Sequence, residues 1–192
     1  MQKKKAGNSR KQIYLLTLMA AMAAIIYVVT LFRFPLLGSK VHFAGAMCLV
    51  SGMLLGPVPG GLAAGLGSAL YDALAGGYDL INTLITFVSK FTMGWVCGWL
   101  FRSVHKEDQR LGEHTAWAFA GAAAGALTYV ALYMLKTWVF QRYVYAYPLD
   151  TAWATLLSKL PASLINALTG TIAAPLFYHA VRLPLRRTLE NL

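Results

Sequence analysis

"FAGAMCLVSGMLLGPVPGGLAAGLGSALY", residues 43–71, runs for 29 residues without a charge. As one α-helix it would be about 43 Å long at 1.5 Å per residue. A hydrocarbon core is only about 30 Å thick. At residues 56–61 stands "GPVPGG", two prolines and three glycines in six positions. Proline removes a backbone donor and clashes with the turn before it. The stretch therefore predicts a turn, with two spans, 43–57 and 60–76, in place of one.

The rest of the chain follows the same ruler. The uncharged run "IYLLTLMAAMAAIIYVVTLF" covers 20 residues, Ile13 to Phe32, a full bilayer crossing. It is longer than a signal-peptide core, although "AMA" at 21–23 mimics a cleavage site, so an uncleaved first helix is expected. "GGYD" at 76–79 predicts a second tight turn. Further spans are expected at 80–101, 115–139 and 152–181. Composition agrees: 58% of the 192 residues are hydrophobic and 12% charged, against about 25% charged in a soluble domain. The expectation is an all-α membrane protein of six transmembrane helices. Residues 1–12 and 183–192 form basic tails around a membrane domain, 13–182.

Charge sets the orientation. Lys3, Lys4, Lys5, Arg10 and Lys11 lie in the first tail. Arg102, Lys106 and Arg110 lie after the fourth span, and Arg182, Arg186 and Arg187 after the sixth. The opposite loops hold Arg33, Lys40 and Arg142. The positive-inside rule then places both termini in the cytoplasm. The net charge of +10 is accounted for in this way, and nucleic acid is not an expected partner.

Several charges do not fit a greasy bundle. Lys90 is about 16 Å from either end of its span, beyond the reach of snorkelling. A lysine at a helix centre costs about 2.5–3.5 kcal/mol on insertion scales. Lys159, Lys136 and Asp72 lie in the outer halves of their spans. Asn82, Thr83, Thr86 and Ser89 share a helix face with Lys90; Ser158, Ser163 and Asn166 make a similar stripe with Lys159. One reading is a structural Asp72–Lys90 ion pair. The other is an outward-facing cavity, with surplus cations, for a polar or anionic small ligand. The expected polar floor is Asp72, Asn82, Thr86, Lys90, Lys159 and Asn166. The loop "YVYAYP" at 143–148, flanked by Trp138 and Trp153, reads either as an interfacial belt or as a stacking cap over the cavity.

Small residues four apart let helices approach. The pairs Gly61/Gly65, Gly94/Gly98 and Gly121/Gly125 read as internal packing. The patch built on Ala20 and Ala24, with Thr17 and Ala21 beside them, reads as a docking face for another membrane subunit. Cys48 and Cys97 differ in depth by about 18 Å, too far to bridge. No metal-ligand spacing or G-x-x-x-x-G-K-[ST] loop occurs, and no nucleophile motif. No cofactor and no catalytic residue are expected. A membrane enzyme acting on a lipid-linked substrate and a structural subunit that binds no ligand are the alternatives.

"HFAGAMCLVSGMLLGPVPGGLAAGLGSALYDALAGGY" at 42–78 and "FVSKFTMGW" at 87–95 resemble the riboflavin-type S components of energy-coupling factor (ECF) vitamin transporters. The relatives read H-F-G-N, L-L-F-G-P, G-G-L-A-A-G-I-G-S-A-L-x-D, then a lysine before an M-G pair. This chain departs at Ala44-Gly45-Ala46, where many relatives carry a glycine–asparagine pair, so the ligand's identity stays open. The resemblance implies a binding subunit of the bacterial cytoplasmic membrane that takes a vitamin or precursor at its outer face. It also implies a separate transmembrane T subunit, contacted through Ala20 and Ala24, and two ATPases that drive uptake.

Overall fold

The computed structural model describes the backbone of residues 2–36, 39–104 and 111–190, and the side chains of 11–35, 40–103 and 115–182. Among the described residues six α-helices carry the fold: α1 (Gln2–Leu31), α2 (Ala44–Leu55), α3 (Pro57–Tyr71), α4 (Leu80–Val104), α5 (Leu111–Val139) and α6 (Leu149–Glu190). Strands β1 (Phe34–Leu36) and β2 (Ser39–Val41) form an antiparallel hairpin between α1 and α2, a small departure from an all-helical chain. Lys3, Lys4, Lys5, Arg10, Lys106, Arg110, Arg186 and Arg187, on which the orientation argument leans, lie outside the described side chains.

The turn expected over "GPVPGG" shrinks to one residue. Gly56 alone leaves the helical region, at φ 91°, a backbone state that favours glycine. Pro57 then opens α3, where its missing N–H costs nothing. Gly60 and Gly61 are helical, and their value lies in contact. A Cβ on Gly60 would meet the backbone of Ser51 and Gly52, and one on Gly52 would meet the Gly94 carbonyl. Ser51 Oγ stands 2.7 Å from Cys48 O and 2.9 Å from Gly60 O, tying α2 to α3. The other glycine pairs also pack inward: Gly61 and Gly65 face the backbone of Phe91 and Phe87, Gly121 that of Cys97, and Gly125 that of Met93.

The helices surround α2. It touches α1, α3, α4, α5 and α6, while α1–α3, α3–α4, α4–α5 and α5–α6 pack as a curved wall. Helix α2 is apolar all round and almost wholly buried, as a central helix must be. Ile26, Leu49, Cys48, Met53, Met93 and Cys97 form the middle of the core. Both cysteines are free and buried. Outside, Leu84, Val88, Leu127, Leu135, Leu157 and Leu168 are exposed, an apolar coat suited to lipid. Among the described residues four helical segments, 11–31, 80–103, 115–144 and 149–182, have the length and apolarity to cross a membrane. Helices α2 and α3, at 12 and 15 residues, are shorter than a full crossing. The chain is thus an all-α membrane protein apart from its hairpin.

Two π-helical turns interrupt this regularity, Asp72–Gly76 after α3 and Phe140–Val144 after α5. Such turns re-aim side chains and recur at functional sites. Both lie at the end of the bundle that carries the hairpin. Gly77, at φ 67°, ends the first one, within the expected "GGYD" turn.

Candidate functional site

A cavity of about 440 Å³ opens at the hairpin end of the bundle. Its wall is built by helical periodicity. From α4 come Asn82, Ile85, Thr86, Ser89, Lys90 and Met93; from α5, Ala126, Tyr129, Tyr133, Lys136 and Thr137; from α6, Lys159, Ser163, Asn166 and Ala167. Each set follows the three- and four-residue spacing of one helix face. The hairpin and its flanks add Arg33, Lys40 and His42, and the π turns add Asp72, Phe140 and Gln141.

All six residues expected at the polar floor, Asp72, Asn82, Thr86, Lys90, Lys159 and Asn166, line this cavity. Two neighbours in their stripes do not. Thr83 is buried away from it with its hydroxyl unpaired, and Ser158 is exposed, bonded to Thr155 O. Most of the six have contacts that the sequence did not reveal. Lys90 is buried, but not against Asp72: its Nζ lies 3.6 Å from the Tyr129 ring centroid and 3.9 Å from Met93 Sδ. The cations acting most on Asp72 are Lys136 and then Arg33, ahead of Lys90. The Asp72–Lys90 ion pair is therefore not formed. The reason is geometric: Asp72 sits on the π turn near the mouth, while Lys90 is about 15 Å along α4.

Asn166 spends its amide on the chain itself. Its Oδ1 accepts from His42 N–H at 3.0 Å and its Nδ2 donates to Lys40 O at 2.8 Å. It anchors the base of the hairpin onto α6. Asn82 donates to the Asp79 carboxylate at the start of α4, a local capping contact. Thr86 is the hydroxyl facing Asp72.

Of the remaining polar wall, the sequence reading holds Ser89, Ser163 and Lys136 and lacks Tyr129, Tyr133, Thr137 and Gln141. Tyr129, Tyr133, Lys136 and Phe140 follow at four, three and four residues along α5, a helical stripe that was legible. Arg33 donates to Tyr71 Oη and lies 4.2 Å from that ring's centroid. Lys40 Nζ is 3.4 Å from Tyr78 Oη, and Lys136 lies 5.6 Å from the Phe140 ring. Burial, reinforced by Lys90, Arg33 and Lys40, pushes the His42 imidazole down to about 3, so it is neutral at pH 7. His42 Nδ1 and Gln141 Oε1 are buried without a hydrogen-bond partner. Each orphaned polar atom costs about 1–3 kcal/mol. The aromatic loop divides between its two readings: Tyr145 lines the cavity, whereas Trp138 and Trp153 pair with each other, centroids 4.7 Å apart.

Taken as chemistry, the site offers aromatic faces for a planar ring beside a wall of hydroxyl, amide and ammonium groups. Its volume falls within the range of about 300–1,000 Å³ typical of small-molecule pockets. On the opposite side of the question, α1 leaves Ala20, Ala21 and Ala24 exposed along one face, with Ala23 turned inward. Comparison with known proteins adds one match: the family model described as ECF-type riboflavin transporter, S component, matches residues 7–183. No curated protein matches the chain.

Proposed function

The chain belongs to the S-component family of ECF-type riboflavin transporters, and from that premise we propose that it captures a vitamin or vitamin precursor, riboflavin or a related small heterocycle, at the outer face of the bacterial cytoplasmic membrane. Uptake is driven by separate subunits, a transmembrane T subunit and two ATPases, so the chain itself binds the cargo and catalyses no reaction. The observation that carries this reading is the 440 Å³ cavity, whose wall joins the rings of Tyr129, Tyr133 and Tyr145 to polar side chains from α4, α5 and α6. A planar heterocycle lies against those rings, and its N–H and carbonyl groups meet the polar side chains.

Within this reading Lys90, Lys159, Asp72 and Thr86 contact the ligand directly. Asn82 and Asn166 shape the wall from their capping and hairpin contacts. The topology is six spans with both termini in the cytoplasm. The basic residues support that orientation, and the apolar α2, only 12 residues long, is enclosed by its neighbours and so makes its crossing shielded from lipid. Ala20 and Ala24 form the T-subunit docking face, supported by their exposure on α1.

Purified protein should bind a flavin or related heterocycle, read as quenching of the tyrosine and tryptophan fluorescence or as a co-purified chromophore in native mass spectrometry. A folded protein that takes up no such compound would sink the proposal. Ala20→Trp and Ala24→Trp should abolish co-purification with the T subunit while sparing ligand binding. Intact co-purification would remove that face from the interface.

A further inference from the structure

The cavity is far more cationic than a neutral ligand requires. Arg33, Lys40, Lys90, Lys136 and Lys159 all line it, and among the described residues Asp72 is the one carboxylate that does. Structural clusters of buried charge are held by pairing. These are held differently. Arg33 lies on Tyr71, Lys40 on Tyr78, Lys90 on Tyr129 and Lys136 on Phe140. An aromatic face steadies an ammonium or guanidinium group without neutralising it. One carboxylate cannot balance five cations, of which Lys90 is buried, Arg33, Lys136 and Lys159 are half-buried and Lys40 is exposed.

The cations also surround the space from different elements. Lys40 comes from β2, Lys136 from the last turn of α5, and Lys159 from α6. A group with several acceptor oxygens could be met from three directions. Resting on the carrier reading above, we infer that the cargo is an anion: a planar aromatic molecule bearing a phosphate or carboxylate group, not a neutral vitamin. The ring lies against the tyrosines of α5, and the anionic group lies among Lys40, Lys136 and Lys159. Binding the anion relieves the repulsion that a neutral molecule would leave in place.

The test uses matched pairs differing in charge: riboflavin and riboflavin 5′-phosphate, pyridoxine and pyridoxine 5′-phosphate, nicotinamide and nicotinate. Each is titrated onto the full-length protein in phosphatidylcholine nanodiscs. At least one anionic member should bind tenfold or more tightly than its neutral partner, and the ratio should shrink as salt rises. Lys136→Gln and Lys159→Gln should each narrow that ratio. The salt titration on the unsubstituted protein gives the same answer if a variant does not fold. Binding in which no anionic member is tighter than its neutral partner would overturn the charge inference and leave the carrier reading standing. Failure of every compound to bind a folded protein would overturn both.

Discussion

Replacing Lys90 by methionine separates a structural lysine from a binding one, because the two roles predict opposite signs. Methionine keeps the length and volume of the side chain and removes the charge. Placing a lysine mid-helix in a membrane costs about 2.5–3.5 kcal/mol. The Tyr129 face, 3.6 Å from Nζ, returns about 2 kcal/mol for a desolvated cation. No carboxylate makes up the difference at this depth. The ligand-free protein should therefore gain about 1 kcal/mol from Lys90→Met, a rise in Tm of about 2–4 °C for a chain of this size. Ligand binding should move the other way. A charge-assisted hydrogen bond is worth about 1.5–3 kcal/mol, so affinity should fall by about ten- to a hundredfold. Thermal unfolding followed by intrinsic fluorescence gives the first quantity, and titration with the co-purified heterocycle gives the second. A variant that is less stable yet binds unchanged would refute the reasoning and make Lys90 a packing residue.

Other outcomes follow from single contacts. Asn166→Leu removes two hydrogen bonds to the hairpin base, about 0.5–1.5 kcal/mol each; amide exchange at His42 should accelerate, while protection in α2 should hold. Gly52→Ala drives a methyl group into the Gly94 carbonyl and should cost at least the 1–3 kcal/mol of an overpacked core, read as a lower Tm. His42 has its imidazole pushed from 6.5 to about 3. The unfolded chain then binds a proton that the folded chain refuses. Stability contributed at His42 is full above pH 6.5 and declines as pH falls toward 3, by up to about 1.4 kcal/mol per pH unit. His42→Gln should flatten that decline in unfolding curves taken across the window; an unchanged slope would show that the imidazole is not held neutral.

Much of this protein was legible in its chemistry along the chain. The break between α2 and α3 is local: a glycine that accepts φ 91° followed by a proline that cannot continue the preceding helix. Lengths of apolar runs found each helix, although α1 begins well before residue 13 and α6 runs on past 181, because the polar flanks stay helical beyond the apolar stretch. Helical spacing put Asn82, Thr86 and Lys90 on one face, because 3.6 residues per turn holds whatever the helix packs against. What periodicity could not give was the neighbour across the gap. Lys90 meets Tyr129 on α5, and Asn166 reaches back to Lys40 and His42. Those partners depend on how each helix is rotated and how closely it approaches. Here that is decided by glycine contacts such as Gly52 on Gly94, and by two π turns that local propensity does not mark. The chain determined where its helices lie and which faces are polar; only their packing decided which charges stand together and leave a cationic hollow between them.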